Sequence, residues 1–144
     1  MDEAIKQAML SAASGEVPIG AVLVNGLTKE IVACSHNLTI QDNDPTAHAE
    51  INVIRARCRE LGTQRLPDHD LYVTLEPCPM CAAAITNARI RRVYFGAYDP
   101  KGGGVEHGAK IFSHPQCLHK PDVIGGVMEE QCARLLKDFF GDRR

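Results

Sequence analysis

Residues 71–97 read LYVTLEPCPMCAAAITNARIRRVYFGA, and their order decides the fold class. Leu71 to Leu75 is a short apolar run that reads as a buried strand, Pro79 to Ala88 as a helix, and Arg92 to Ala97 as a second strand. Strand, helix and strand in that order imply a parallel pair with a right-handed crossover. Upstream, Ala21 to Val24 and Ile31 to Cys34 flank the turn signal Asn25-Gly26 and predict an antiparallel hairpin, so the sheet is expected to be mixed.

Outward from this core, Ile5, Ala8, Met9 and Ala12 recur at helical spacing before Gly15 and Pro18, predicting an amphipathic helix laid over the sheet. Ser35 to Asp44 reads as a loop. Asp44-Pro45 is a helix-start signature, after which Ala47, Ile51, Ile54, Cys58 and Leu61 mark a buried stripe that Gly62 ends. Asp99 to Gly108, with Pro100 and Gly102-Gly103-Gly104, is too flexible for regular structure and is expected to line a site beside the sheet. Val123 to Val127 reads as a last strand. Met128, Cys132, Leu135, Leu136 and Phe139 stripe a C-terminal helix that opens on Glu129-Glu130 and is followed by Arg143-Arg144.

A length of 144 residues with ordinary apolar content predicts a single domain spanning 1–144. No run approaches the roughly 20 apolar residues of a membrane span, and MDEAIKQAML lacks a signal-peptide profile, so a soluble, cytoplasmic protein without membrane association is expected. In that setting the six cysteines read as thiols or metal ligands before disulfides. A formal charge of −2 gives no global pull toward nucleic acid, so RNA binding would need a local basic patch or a shaped pocket.

Two motifs carry the chemistry: His48-Ala49-Glu50 at the start of the second helix, and Pro77-Cys78-Pro79-Met80-Cys81 where a strand gives way to the third. Cys78 and Cys81 lie one helical turn apart, so both sulfurs can reach one Zn2+ at about 2.3 Å, with a His48 nitrogen closing from the other helix. Three protein ligands leave the fourth tetrahedral position to a water whose pKa falls toward about 7, the mark of a catalytic zinc. Two residues subtend about 200° of helix, so His48 and Glu50 can serve one centre only if the metal lies off the helix's N-terminal end. Glu50 would then shuttle a proton from that water to a ring nitrogen and on to departing ammonia, which is hydrolytic deamination.

Taken singly, a His-x-Glu often marks nothing more than a helix start, and a Cys-x-x-Cys could be redox-active, structural or two buried thiols. Together, each at a helix start, they form the zinc deaminase signature. With the flanking segments Glu16 to Val24, Asp44 to Glu50, Val73 to Cys81, Arg89 to Asp99 and Asp138-Phe139-Phe140, the chain resembles the cytidine and deoxycytidylate deaminase superfamily, and within it the bacterial tRNA adenosine deaminases.

That resemblance implies a three-layer α/β/α sandwich with a mixed five-stranded sheet, a homodimer, and a tRNA anticodon stem-loop whose wobble adenosine is flipped into the zinc pocket and becomes inosine. By matched position it implies that Asn37 hydrogen-bonds the purine, that Ala49 offers backbone contacts beside the base, that Asp99 lies near the ribose, that Lys101 approaches a neighbouring phosphate, and that Phe140 helps shape the anticodon pocket. Asn and Asp also cap turns, a Lys among glycines is usually solvated, and Phe139 fits the core by periodicity. His36, His69, His107, His114 and His119 are expected at the surface or in loops, and Cys34, Cys58, Cys117 and Cys132 as buried small residues. The chain begins close to its first helix and carries no basic extension past Arg144, which leaves fewer expected tRNA contacts.

Two other readings use the same residues. A deaminase of a free base such as guanine or cytosine would keep the zinc site unchanged. A catalytically silent zinc module would keep the metal for stability, but such a site normally closes its fourth position with another Cys or His and has no use for Glu50.

Overall fold

In the computed structural model, which describes residues 1–141, five strands form one mixed sheet in the order β2-β1-β3-β4-β5. The strands are β1 (Gly20–Asn25), β2 (Ile31–His36), β3 (His69–Leu75), β4 (Arg92–Ala97) and β5 (Asp122–Ile124). The hairpin β1–β2 and the pair β1–β3 are antiparallel, whereas β3–β4 and β4–β5 are parallel. The helices are α1 (Asp2–Ala13), α2 (Ala49–Leu61), α3 (Pro79–Asn87) and α4 (Glu129–Gly141). Arg143-Arg144, expected to follow the last helix, lie outside the described residues.

The period-2 alternation of strand side chains assigns the two faces. Ala21, Leu23, Leu71, Val73, Val93 and Phe95 enter one core with Ala49 and Val53 of α2 and Ala82 and Ile85 of α3. On the other face, Gly20 meets Ala4 and Ala8 of α1, and Gly96 meets Cys132 of α4. The outcome is the expected α/β/α sandwich. No helix among the described residues is long and apolar enough to cross a membrane.

Of the expected stripe Ile5, Ala8, Met9 and Ala12, Ala8 is buried together with Ala4 and Ser11, Ile5 and Ala12 are half-buried, and Met9 is exposed. Close approach explains the shift, because a Cβ on Gly20 would stand 2.6 Å from the Ala8 backbone nitrogen, leaving room only for small residues on the helix. Helix α2 starts at Ala49, later than the Asp44-Pro45 signature indicates. The Asp44 carboxylate accepts from the Thr46 N–H (2.8 Å) and hydroxyl (2.7 Å), and this local turn holds residues 44–48 out of the helix. Gly62 ends α2 in the left-handed conformation as expected, but Leu61 is exposed. The last strand stops at Ile124, short of Val127, although the Val127 N–H still donates to the Phe95 carbonyl.

The register brings the site together. Gly20 pairs with His36, Ala21 with Val73 and Leu75 with Ala97, so the start of β1 and the ends of β2, β3 and β4 share one edge. The segments before β1 and after β2, β3 and β4 therefore converge there, the usual position for a site in an open α/β sheet.

Candidate active site

His48 is the N-cap of α2 and Cys78 the N-cap of α3, with Pro79 opening the first turn of that helix. Both helix N-termini thus face one spot, where their partial positive charge favours thiolates and a carboxylate. His48 Nδ1 lies 3.6 Å from Cys78 Sγ and 3.5 Å from Cys81 Sγ, and the three candidate ligand atoms all fall within 4.8 Å of one another. A tetrahedral zinc with Zn–S of about 2.3 Å and Zn–N of about 2.0–2.1 Å requires S···N edges of about 3.6 Å. The donor set and its spacing fit zinc, with Nδ1 as the histidine atom facing the sulfurs.

The two thiols differ. Hydrogen bonding from Cys81, with help from His48 and against the cost of burial, lowers Cys78 to about 4. The neighbouring Cys78 sulfur and burial push Cys81 up. His48 is raised by its hydrogen bond with Cys78, which outweighs burial. Glu50, only 4% exposed, is pushed up by burial first, its own backbone hydrogen bond opposing. A buried carboxyl whose proton affinity is raised in this way suits a proton carrier.

The structure joins His48, Cys78, Cys81 and Glu50 as the spacing predicted. Asn37, at the end of β2, is buried; its amide approaches Glu16 Oε1 at 3.5 Å and its carbonyl accepts from the Ser11 hydroxyl. Ala49 is fully buried as the first residue of α2. Asp99 is engaged locally, its Oδ1 accepting from the Gly102 N–H at 2.9 Å, and Lys101 is exposed. Phe139 packs into the fold, while Phe140 stands 52% exposed on α4, edge-on to Phe139.

One histidine and three cysteines depart from expectation. His69 is buried and accepts from Arg57 Nε at 3.0 Å, whereas His119 lies in a loop as expected, its ring meeting the Ile90 carbonyl. Cys132 is buried as expected, but Cys34 is exposed and Cys58 and Cys117 are only partly covered; all six cysteines are free. His69 opens β3 beside Arg57, whereas Cys34 lies in the middle of the edge strand β2.

Two residues that sequence reasoning left without a role are Glu16 and Glu76, both buried carboxylates. Glu16 accepts from the N–H groups of Ile40 (3.1 Å) and Gln41 (2.9 Å), fixing the loop that follows Asn37. Glu76 does the same for residues 99–107. Burial raises its carboxyl, but the Asp99 N–H, His107 and the Glu106 N–H outweigh it and hold it below the ordinary carboxylate range. The glycine loop is thus irregular, as expected, yet tied down and not loose. The available signal was a glutamate beside a strand end with no lysine or arginine nearby in sequence.

Residues 1–97 match the family model of the cytidine and deoxycytidylate deaminase zinc-binding region. The chain belongs to this deaminase family. A tRNA-specific adenosine deaminase of Agrobacterium fabrum is 56% identical over 144 residues, covering 100% of this chain and 93% of the relative. One of Bacillus subtilis is 47% identical over 144 residues, covering 100% of this chain and 88% of the relative. A solved tRNA:A34 deaminase, described as editing A to I at the wobble position of transfer RNA, superposes with a TM-score of 0.92 at 56% identity, covering 94% of this chain and 97% of that one. Zinc is the cofactor that this deaminase family uses, and the His/Cys/Cys cluster is compatible with it.

Proposed function

We propose that this deaminase converts adenosine to inosine at the wobble position of a tRNA anticodon, releasing ammonia, and that residues 1–144 act as one domain. The observation that carries the substrate is similarity over the whole length: 56% identity covers 100% of the chain against a tRNA-specific adenosine deaminase. The chemistry rests on the three-ligand cluster with a buried carboxyl beside it.

His48, Cys78 and Cys81 would hold the zinc, which when bound supplies Lewis-acid activation of water at neutral pH. Glu50 takes one proton of the attacking water and passes it to a ring nitrogen as the C6–O bond forms; it then takes the remaining proton of the C6 hydroxyl and gives it to the amine, so that C6=O forms as the C6–N bond breaks and ammonia leaves. Asn37 orients the purine, the Ala49 backbone flanks it, Asp99 and Lys101 meet the ribose and a phosphate, and Phe140 shapes the anticodon pocket. We take the acting unit to be a cytoplasmic homodimer that engages the anticodon stem-loop.

The test incubates zinc-loaded protein with an anticodon stem-loop carrying a wobble adenosine, and separately with free guanine, adenine and cytosine, assaying inosine and ammonia. Inosine in the stem-loop alone is expected. Ammonia from a free base alone would keep the zinc chemistry and overturn the substrate.

A further inference from the structure

Glu76 lies between β3 and the cysteine motif, with its side chain 0% exposed. Oε1 accepts from the Asp99 N–H at 3.1 Å and meets His107 Nδ1 at 2.8 Å. Oε2 accepts from the N–H groups of Val105 (3.2 Å), Glu106 (2.9 Å) and His107 (3.0 Å). All of these donors belong to the single segment 99–107. That segment is also fastened to the backbone bearing the candidate zinc ligand, because the Gly104 N–H donates to the Pro77 carbonyl at 2.8 Å. A Cβ on Gly104 would stand 2.7 Å from Pro79 Cα and 2.8 Å from the Cys78 carbonyl carbon, so the loop rests directly on the start of α3.

An ionised carboxylate accepts only, with about four lone-pair sites, and here both oxygens are filled by one loop. The loop so held carries the exposed Lys101, the kind of cation that neutralises a nucleic-acid phosphate. We propose that Glu76 is a positioning residue for the RNA substrate: it fixes the 99–107 loop as the rim of the metal site, and so sets substrate capture apart from the chemical step. This rests on the reading of the site as a tRNA adenosine deaminase.

Glu76→Gln tests it. An amide presents one donor end, so whichever way it turns, two or three of the loop's donors face N–H instead of oxygen. With the stem-loop as substrate, KM should rise by ~10-fold while kcat stays within about threefold, zinc remains bound, and deuterium uptake at residues 105–107 quickens. His107→Ala, at a part-exposed ring, should move KM in the same direction by about threefold and covers the case in which Glu76→Gln does not fold. Lys101→Ala should also raise KM, and its effect should shrink when combined with Glu76→Gln, since a released rim no longer presents the lysine.

An unchanged KM despite faster exchange in the loop would overturn the proposal. So would a fall in kcat or zinc content at constant KM, or effects of Lys101→Ala and Glu76→Gln that simply multiply. If the wild type deaminates only a free base, the substrate reading fails by itself, and the same KM comparison on that base decides whether Glu76 positions the rim.

Discussion

Replacing Glu50 by Gln keeps the side chain's shape and removes its ability to carry a proton. Positioned acid–base groups contribute about 10²–10⁴-fold, and Glu50 is asked to move a proton twice, from the attacking water and to the departing amine. At 4% exposure it cannot be replaced by bulk water, so the loss should fall near the upper end, about 10⁴-fold in kcat or roughly 5.5 kcal/mol. Stability should move the other way or not at all, because burial already disfavours the charged form and a neutral amide avoids that cost. Zinc content should stay at the wild-type level, since the candidate ligand cluster is His48, Cys78 and Cys81. Single-turnover inosine formation, metal analysis and thermal melting measure the three quantities on one preparation. Retention of more than about a tenth of the turnover would refute the shuttle role. Loss of zinc together with activity would instead make Glu50 a ligand.

Zinc binding near neutral pH should release about one proton or more, from the raised Cys81 thiol, with Cys78 at about 4 already ionised. Calorimetric titration in buffers of different ionisation enthalpy counts them, and no release would contradict the assigned thiol states. Gly20→Ala should lower stability by about 1–3 kcal/mol, and Tm by roughly 3–12 °C, because the new methyl lies 2.6 Å from the Ala8 backbone nitrogen and 2.8 Å from Gln7 Cβ. An unchanged melting curve would mean that α1 does not sit this close to β1. His69 is held below its ordinary 6.5 by burial first and by Arg57 second, so the unfolded chain binds its proton more readily than the folded one. Its contribution to stability is therefore present above about pH 6.5 and lost as pH falls from there toward the folded pKa. Urea titrations at about pH 7.5 and about pH 5 should show a smaller acid loss in His69→Gln than in the wild type; equal losses would exclude His69 as the cause.

The catalytic centre was legible because its signals are local. A Cys-x-x-Cys at one helix start sets two sulfurs one turn apart, and a His-x-Glu at another sets a ring nitrogen and a carboxyl at a second N-terminus; the sheet register then brings the two starts together. The strand-helix-strand order of 71–97 and the Asn25-Gly26 turn likewise fixed a mixed sheet, since handedness and turn type are set by backbone sterics over short spans. Errors arose where distant contacts compete with local pattern. Ala8 and Met9 both fit a helical stripe, yet the near approach of α1 to Gly20 turned Ala4, Ala8 and Ser11 inward and left Met9 exposed. Asp44-Pro45 fits a helix start, yet the Asp44 side chain satisfied Thr46 and delayed α2 to Ala49.

By itself, then, the sequence singled out the residues proposed to bind zinc and move a proton, because that reading needs only residue types at fixed helical spacing. Tertiary structure alone decided what surrounds them. Glu76 gathers donors from residues 23 to 31 positions away, and Glu16 from 24 and 25 positions away. No periodicity encodes such pairs; they exist only once the antiparallel β1–β2 register, for Glu16, and the parallel β3–β4 register, for Glu76, carry the strand ends to one edge of the sheet, where a buried carboxylate must find N–H groups or bear the cost of being left without them.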